Sequence, residues 1–151
     1  MFSNKINTLT MLTYFKAIKF KVDKINSEIF MSDDYPTYYN AWVEVFGPAK
    51  HKLICAWHIH QSWNKNYTKI KCQSKTDKVK IIMKNLIQEL DINKFNQQLV
   101  FQVANLKSDK DTKSFGEYIE QHYAKRKEMW AYCYRKGLKI NTNMHLENMH
   151  R

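Results

Sequence analysis

The sequence has few residues that interrupt regular secondary structure. Only three glycines and two prolines occur among its 151 residues. An all-β sandwich or barrel needs turn residues about every ten positions, and glycine and proline supply many of them. Their scarcity argues against that class and favours a chain of long helices with few strands.

Cysteines and long apolar runs are also scarce. The three cysteines, Cys55, Cys72 and Cys133, are odd in number and widely spaced, so we expect reduced thiols in an intracellular protein rather than a disulfide framework. No apolar run approaches the roughly 18 residues of a membrane span, and the N-terminal region lacks a signal-peptide core and cleavage site. We therefore expect a nuclear or cytoplasmic protein that is neither secreted nor membrane-bound.

The sequence is rich in aromatic residues and in positive charge. Hydrophobic residues make up 44% of the chain and aromatic residues 14%, which is enough apolar surface for one folded core. Lysine and arginine outnumber aspartate and glutamate by 25 to 14, a net charge of +11. This excess suits a polyanionic partner, most plausibly nucleic acid. The alternative is a lysine-rich solvated surface with no such partner.

The first 60 residues alternate between helical and strand patterns. Apolar residues at steps of three and four predict a helix from Thr8 to Lys24. The apolar runs SEIFMS and KLICAW predict two strands, and the helix between them is expected to have Asp34 as its cap and Gly47 at its end. Strands joined by a crossover helix should pair in parallel.

The rest of the chain has helical periodicity only. Two apolar stripes predict helices on either side of a cap at Asp91. A capping box, Ser114 to Glu117, predicts the start of one long helix that runs to Gly137. The expected fold is therefore α/β but predominantly helical.

Three residues near the predicted strand ends are candidates for chemistry. Asp33 lies at the carboxyl end of the first strand, where open α/β sheets collect ligands, and the alternative is that Asp33 and Asp34 both serve as helix caps. Cys55 and His58 form a Cys-x-x-His pattern, which is compatible with half a metal site, a catalytic pair or a core cysteine. Zinc would need two more ligands, and no residues at a recurring zinc spacing supply them. A cysteine nucleophile is disfavoured, since residues three apart at a strand end rarely face each other.

Aromatic and basic residues alternate near the C-terminus. Trp130, Tyr132 and Tyr134 are interspersed with cations, a composition that suits base stacking and phosphate contact. The alternative is a helix with an aromatic core face and a solvated basic face, and periodicity favours this for Trp130 and Tyr134. The DNA-contact hypothesis then falls on the cations: Lys125, Arg126, Lys127, Arg135 and Lys136.

Three segments resemble, in order and spacing, the Mutator-like element transposases. These segments are FMSDDYPTYYNAW, LICAWHIHQSWNKN and YIEQHYAKRKEMWAYCYRKGLKINTNMHLENMHR. The family belongs to the DDE transposases, which have a ribonuclease H-like fold. The resemblance extends from about Thr8 to Arg151.

The resemblance assigns part of the family's acidic triad to this chain. The second aspartate follows a serine and matches Asp33, and the glutamate follows a Thr-Asn pair and matches Glu147. The family's Cys-x-x-His motif matches Cys55 and His58, which implies that they support the metal ligands or position substrate. The first aspartate, on the first strand of the fold, has no counterpart in this sequence. Asp33 and Glu147 are thus the implied metal ligands and catalytic acids.

The implied molecule is a fragment of a DDE transposase with two parallel strands of the ribonuclease H-like fold retained. We expect a partial core over residues 1–75, a helical insertion over 76–138, and the start of the glutamate-bearing helix over 139–151. The intact parent would use two Mg²⁺ or Mn²⁺ ions for strand cleavage and transfer, whereas no cofactor is firmly expected here. We expect a chain that is inactive alone, binds DNA weakly and without sequence preference, and associates with a full-length transposase or another copy. The alternative is a non-catalytic, basic helical module that binds nucleic acid or protein.

Overall fold

The computed structural model describes residues 8–23 and 25–141. Its α-helices and strands, in chain order, are α1 (Thr8–Val22), β1 (Ile29–Ser32), α2 (Pro36–Phe46), β2 (His51–Ile54), α3 (Ala56–Asn66), α4 (Gln73–Gln88), α5 (Ile92–Ser108) and α6 (Lys113–His122). Short 3₁₀ helices follow α3 and α6: η1 (Tyr67–Lys69), η2 (Ala124–Met129) and η3 (Tyr132–Arg135). The prediction of a predominantly helical α/β chain is confirmed.

The chain forms two compact units that divide between Ile54 and Cys55. The first contains α1, β1, α2 and β2, and the second contains the remaining helices. The domain boundary that we predicted after residue 75 lies inside α4 and does not coincide with this division. Across the described residues, no helix is both long enough and apolar enough to cross a membrane.

The first unit is built on one parallel strand pair. β1 and β2 pair in parallel, with Ser32 opposite Ile54, as predicted from the crossover helix between them. α1 packs on α2 through Phe15, which is edge-on to the ring of Trp42 at 5.6 Å between ring centroids. The ammonium of Lys19 donates to the Val45 carbonyl at 2.8 Å and thereby joins the two helices again.

The turn between β1 and α2 differs from its prediction in one respect. The residue at the N-cap of α2 is Tyr35, without a side-chain capping bond, so the assignment of Asp34 as the cap was wrong. Pro36 occupies the first turn, where a missing N–H costs nothing. Gly47 ends the helix at φ 85°, a backbone conformation that glycine adopts without steric cost.

The second unit surrounds an aromatic core. The ring of Trp130 lies edge-on to those of Trp63, Phe95 and Tyr123, with centroid distances of 5.7, 5.4 and 5.9 Å. All four side chains are buried. Edge-to-face pairs of this kind add to the stabilisation from burial alone.

The predicted long helix from Ser114 to Gly137 was wrong. α6 begins at Lys113, so Ser114 lies inside the helix, and α6 ends at His122, before η2 and η3. The break has a packing reason. Seven residues of straight helix would separate Tyr123 from Trp130 by about 10 Å along the axis, whereas here the Trp130 indole N–H donates to the Tyr123 carbonyl at 2.9 Å.

α5 and α6 form a hairpin that is tightest near its turn. A Cβ atom added at Gly116 of α6 would lie 2.8 Å from the Cβ of Leu106 in α5. The turn itself is held to α4, because Lys75 pairs with Asp109 at 2.5 Å and with Asp111 at 2.8 Å. Glycine is therefore needed at residue 116 for close approach, not for an unusual backbone angle.

Candidate functional site

Asp33 follows the carboxyl end of β1, as predicted. Its Oδ1 accepts a hydrogen bond from the Tyr35 N–H at 3.2 Å, and the Ser32 hydroxyl donates to the Asp33 carbonyl at 2.8 Å. These local bonds fix the turn and hold a half-buried carboxylate at the end of the strand pair. Asp33 therefore has a structural role in this turn, which is compatible with metal binding through its other carboxylate oxygen.

Cys55 and His58 lie on either side of the start of α3. Cys55 follows β2 directly, is fully buried, and occupies the N-cap position of the helix. His58 lies in the first helical turn, half-buried, with its ring 4.8 Å from that of Trp57. Within residues 8–23 and 25–141, no group of three or more metal-ligating side chains comes together. The role assigned to this pair by the resemblance stays a prediction.

Glu147, the second member of the proposed acidic pair, lies outside the described residues. The Thr142-Asn143 pair that precedes it lies outside them as well. The prediction that Asp33 and Glu147 come together is therefore still a prediction.

The last described residue, Asn141, is anchored by two hydrogen bonds. Its carbonyl accepts from the Ala56 N–H in the first turn of α3 at 2.9 Å and from Nη1 of Arg135 at 3.1 Å. Nη2 of Arg135 donates to the Met129 carbonyl at 2.7 Å. Asn141, six residues before Glu147 in the sequence, thus lies against the N-terminus of α3.

Arg135 occupies an interior position in the second unit. It is only 3% exposed, and burial lowers its pKa to about 10, because the charged form loses hydration. Its guanidinium is engaged by backbone carbonyls, so its evident role is structural. The prediction that it contacts DNA finds no support in this geometry.

The other four predicted DNA contacts lie nearer the surface. Lys125 and Lys136 are exposed. Arg126 lies over the Tyr123 ring and donates to the His122 carbonyl, while the Lys127 ammonium donates to Oδ1 of Asn96 at 2.6 Å. Trp130 is a core residue, as expected for the aromatic face. The exposed lysines are thus the cations most accessible to a phosphate backbone.

Two features escaped the sequence patterns. Cys72 lies at the N-cap of α4, where its pKa is lowered chiefly by the Ser74 hydroxyl at 3.2 Å and also by backbone N–H groups. Val100 and Phe101 are exposed on α5, away from its buried stripe. Both residues are apolar but do not belong to the apolar stripe of α5. This departure from helical periodicity could have indicated an exposed apolar surface.

No family model, curated protein or solved structure matches this chain. Functional assignment therefore depends on the residues themselves and on the resemblance of the three sequence segments.

Proposed function

We propose that this chain derives from a Mutator-like DDE transposase and retains DNA binding without independent DNA cleavage. In this proposal Asp33 and Glu147 are two members of the parent's acidic triad. Hard divalent cations such as Mg²⁺ and Mn²⁺ prefer carboxylate oxygens, so the chemistry of the pair fits those ions. When bound in the intact parent, such ions stabilise the attacking and leaving oxygens of an in-line displacement at phosphorus.

The observation that carries the proposal is the position of Asp33. It follows the first of two parallel strands joined by a crossover helix. In open α/β sheets, ligands bind near the carboxyl ends of the parallel strands.

The expected loss of cleavage follows from the acidic residues that this sequence offers. The one aspartate before Asp33 is Asp23, which ends α1 with a positive φ of 59° and donates its N–H to the Lys19 carbonyl. It lies on no strand and does not replace a catalytic aspartate of a first strand. A metal pair with two carboxylates would be under-coordinated, and loss of one electrostatic group already costs about 10²–10³ in rate elsewhere.

The cleavage claim is tested with supercoiled plasmid and Mn²⁺ or Mg²⁺. We expect no nicking by the purified chain above that of an Asp33→Ala control. Nicking that requires Asp33 would contradict the proposed inactivity and would mean that another group completes the site.

DNA binding is tested by fluorescence anisotropy of a labelled duplex at two salt concentrations. We expect weak, sequence-tolerant binding that falls steeply with salt, because phosphate contacts dominate. Replacing Lys125 and Lys136 by Gln should lower the salt slope by about two units. A matched variant, Lys71→Gln with Lys78→Gln, removes the same charge from exposed positions on and before α4 and should change the slope little.

The outcomes discriminate between the proposal and its alternatives. Equal slopes for the two double variants would mean that the basic surface acts only through net charge. Undetectable binding at low salt would favour a solvated lysine-rich surface.

A further inference from the structure

The second unit carries an apolar groove that shares only Lys127 with the predicted DNA contacts. The groove lies between α5 and the segment formed by the end of α6 and η2, and it has a volume of about 590 Å³. Its floor includes the buried side chains of Leu99 and Val103, and its opposite wall includes Ala124. Beside this floor, Val100 and Ala104 are exposed, and an exposed apolar patch is more typical of binding surfaces than of solvated faces.

The groove lies beside the point where the chain leaves the direction of α6. At Gly116 the two helices lie too close for an additional Cβ atom. Further from the turn, α6 stops at His122 and the backbone of Arg126 is non-helical (φ −135°, ψ 37°). The chain therefore leaves the helix direction, and the small side chain of Ala124 leaves room beside α5.

One wall of the groove is long and regular. Asn96, Val100, Ala104 and Ser108 recur every fourth residue along α5, which places them in one row on the helix. The twelve-residue span of this row is about 18 Å long at 1.5 Å per residue. Val100 in the middle of the row is 72% exposed. A row of this length matches about three turns of a second helix laid along it.

The charges at the two ends of the groove differ. At one end Lys107 pairs with Glu120 at 2.6 Å, so these charges cancel. At the other end the Lys127 ammonium donates to the neutral amide oxygen of Asn96 at 2.6 Å. The lining residues therefore carry one net positive charge, located at the Asn96 end, in a chain whose net charge is +11.

We propose that this groove binds an acidic amphipathic α-helix of a partner protein. The apolar stripe of such a helix would pack on Val100 and Ala104, above the floor formed by Leu99 and Val103. A carboxylate near one end would pair with Lys127. Helix-in-groove recognition of this kind uses anchors at i, i+3, i+4 and i+7. The charge complementarity favours an acidic partner over a second copy of this chain, since two copies of charge +11 repel.

DNA and small ligands fit the groove less well. DNA presents phosphates and has no apolar stripe to cover Val100 and Val103. Small-molecule pockets enclose most of their ligand, whereas this groove is about half open to solvent. The groove lies within the second unit, and its assignment does not depend on the transposase proposal.

The test uses a synthetic 18-residue helical peptide with leucines on one face and glutamates flanking them. Peptide anisotropy measures affinity, and methyl NMR of Val100 and Val103 reports the site. Val100→Glu should weaken binding at least about tenfold, because it places a carboxylate at the centre of the apolar row. The matched control is Ile81→Glu on α4, which replaces a side chain that is 62% exposed and lies outside the groove. It should bind the peptide like wild type.

Further arms separate the possible occupants. A peptide with lysines in place of the glutamates should bind at least about tenfold more weakly, and Lys127→Gln should reduce this discrimination. Equal binding of both peptides, or equal losses in Val100→Glu and Ile81→Glu, would overturn the proposal. So would a wild-type dimer that Val100→Glu dissociates, or saturable binding of dodecanoate without binding of the peptide. Absence of saturable binding at millimolar peptide would overturn it as well.

Discussion

Replacing Gly116 by alanine should destabilise the second unit, although the same change in most helices is stabilising. In a helix interior, alanine is favoured over glycine by about 1 kcal/mol, because glycine loses more backbone entropy on folding. At Gly116 the added methyl would lie 2.8 Å from the Cβ of Leu106 and 3.0 Å from its carbonyl carbon. Carbon atoms in favourable contact are separated by about 3.5–4.0 Å.

The magnitude follows from the helix separation that would relieve this contact. α5 and α6 would need to separate by roughly 0.7 Å or more to restore ordinary contact, and Leu106 cannot move freely because it is buried. Inserting a methyl into a packed interior costs about 1–3 kcal/mol. After subtraction of the helix-propensity gain, we expect a net loss of about 1 kcal/mol in the free energy of unfolding.

Urea unfolding followed by circular dichroism measures this change. The control is Ser114→Ala at an exposed position of α6, where the substitution should be neutral or slightly stabilising. A Gly116→Ala protein more stable than wild type would refute the reasoning, since it would mean that the close approach of α5 and α6 does not exist in solution.

Two further predictions concern the buried Arg135 and the half-buried His60 of the second unit. Arg135→Met should lower the free energy of unfolding by about 2 kcal/mol in a urea titration, because the carbonyls of Met129 and Asn141 lose a charged donor; an unchanged midpoint would contradict this structural role. The pKa of His60 is lowered from 6.5, first by burial and then by Lys84, so the folded state binds this proton less readily than the unfolded state. Its contribution to stability is therefore full above pH 6.5 and declines as the pH falls below that value. His60→Gln should show a smaller loss of urea midpoint between pH 6.5 and about pH 5 than wild type, and an equal loss would contradict the assignment.

Local sequence signals predicted several helix ends correctly. Pro36 and Gly47 correctly indicated the limits of α2, because a proline in the first turn and a glycine after the last are set by backbone geometry alone. Asp91 was correctly predicted to cap α5, and its Oδ1 accepts the Lys94 N–H at 2.7 Å. Such signals depend only on neighbouring residues and therefore are visible in the sequence.

Features that depend on tertiary packing were not predictable in this way. The periodicity around Tyr123 and Trp130 favoured a continuous helix, yet their contact within the aromatic core requires a break between them. Arg135 appeared to be a surface cation, whereas two carbonyls hold it in the interior. In each case, tertiary packing outweighed a local preference that differs by only a fraction of a kcal/mol per residue.

In the candidate site, too, local features were predictable from the sequence and tertiary contacts were not. The position of Asp33 at a strand end followed from the apolar run before it and the helix after it. Its predicted proximity to Glu147 joins residues separated by more than a hundred positions, and no local pattern determines such a contact. The groove beside α5 was not predicted, because it depends on where α6 ends and on the packing of the following segment against α5, which no local pattern determines.

The most direct test of the transposase proposal is a Mn²⁺ titration of the ¹⁵N-labelled chain followed by NMR. Metal–oxygen bonds of about 2 Å and a distance of about 4 Å between the two metals place shared carboxylates within roughly 8 Å of each other. The amide signals next to Asp33 and Glu147 should therefore broaden together at the same Mn²⁺ concentration, and Asp33→Asn should weaken both effects. Asp34→Asn, a change at the exposed neighbouring residue, should leave both effects intact. Broadening near one carboxylate without the other, or broadening near Glu147 that survives Asp33→Asn, would contradict a shared acidic site.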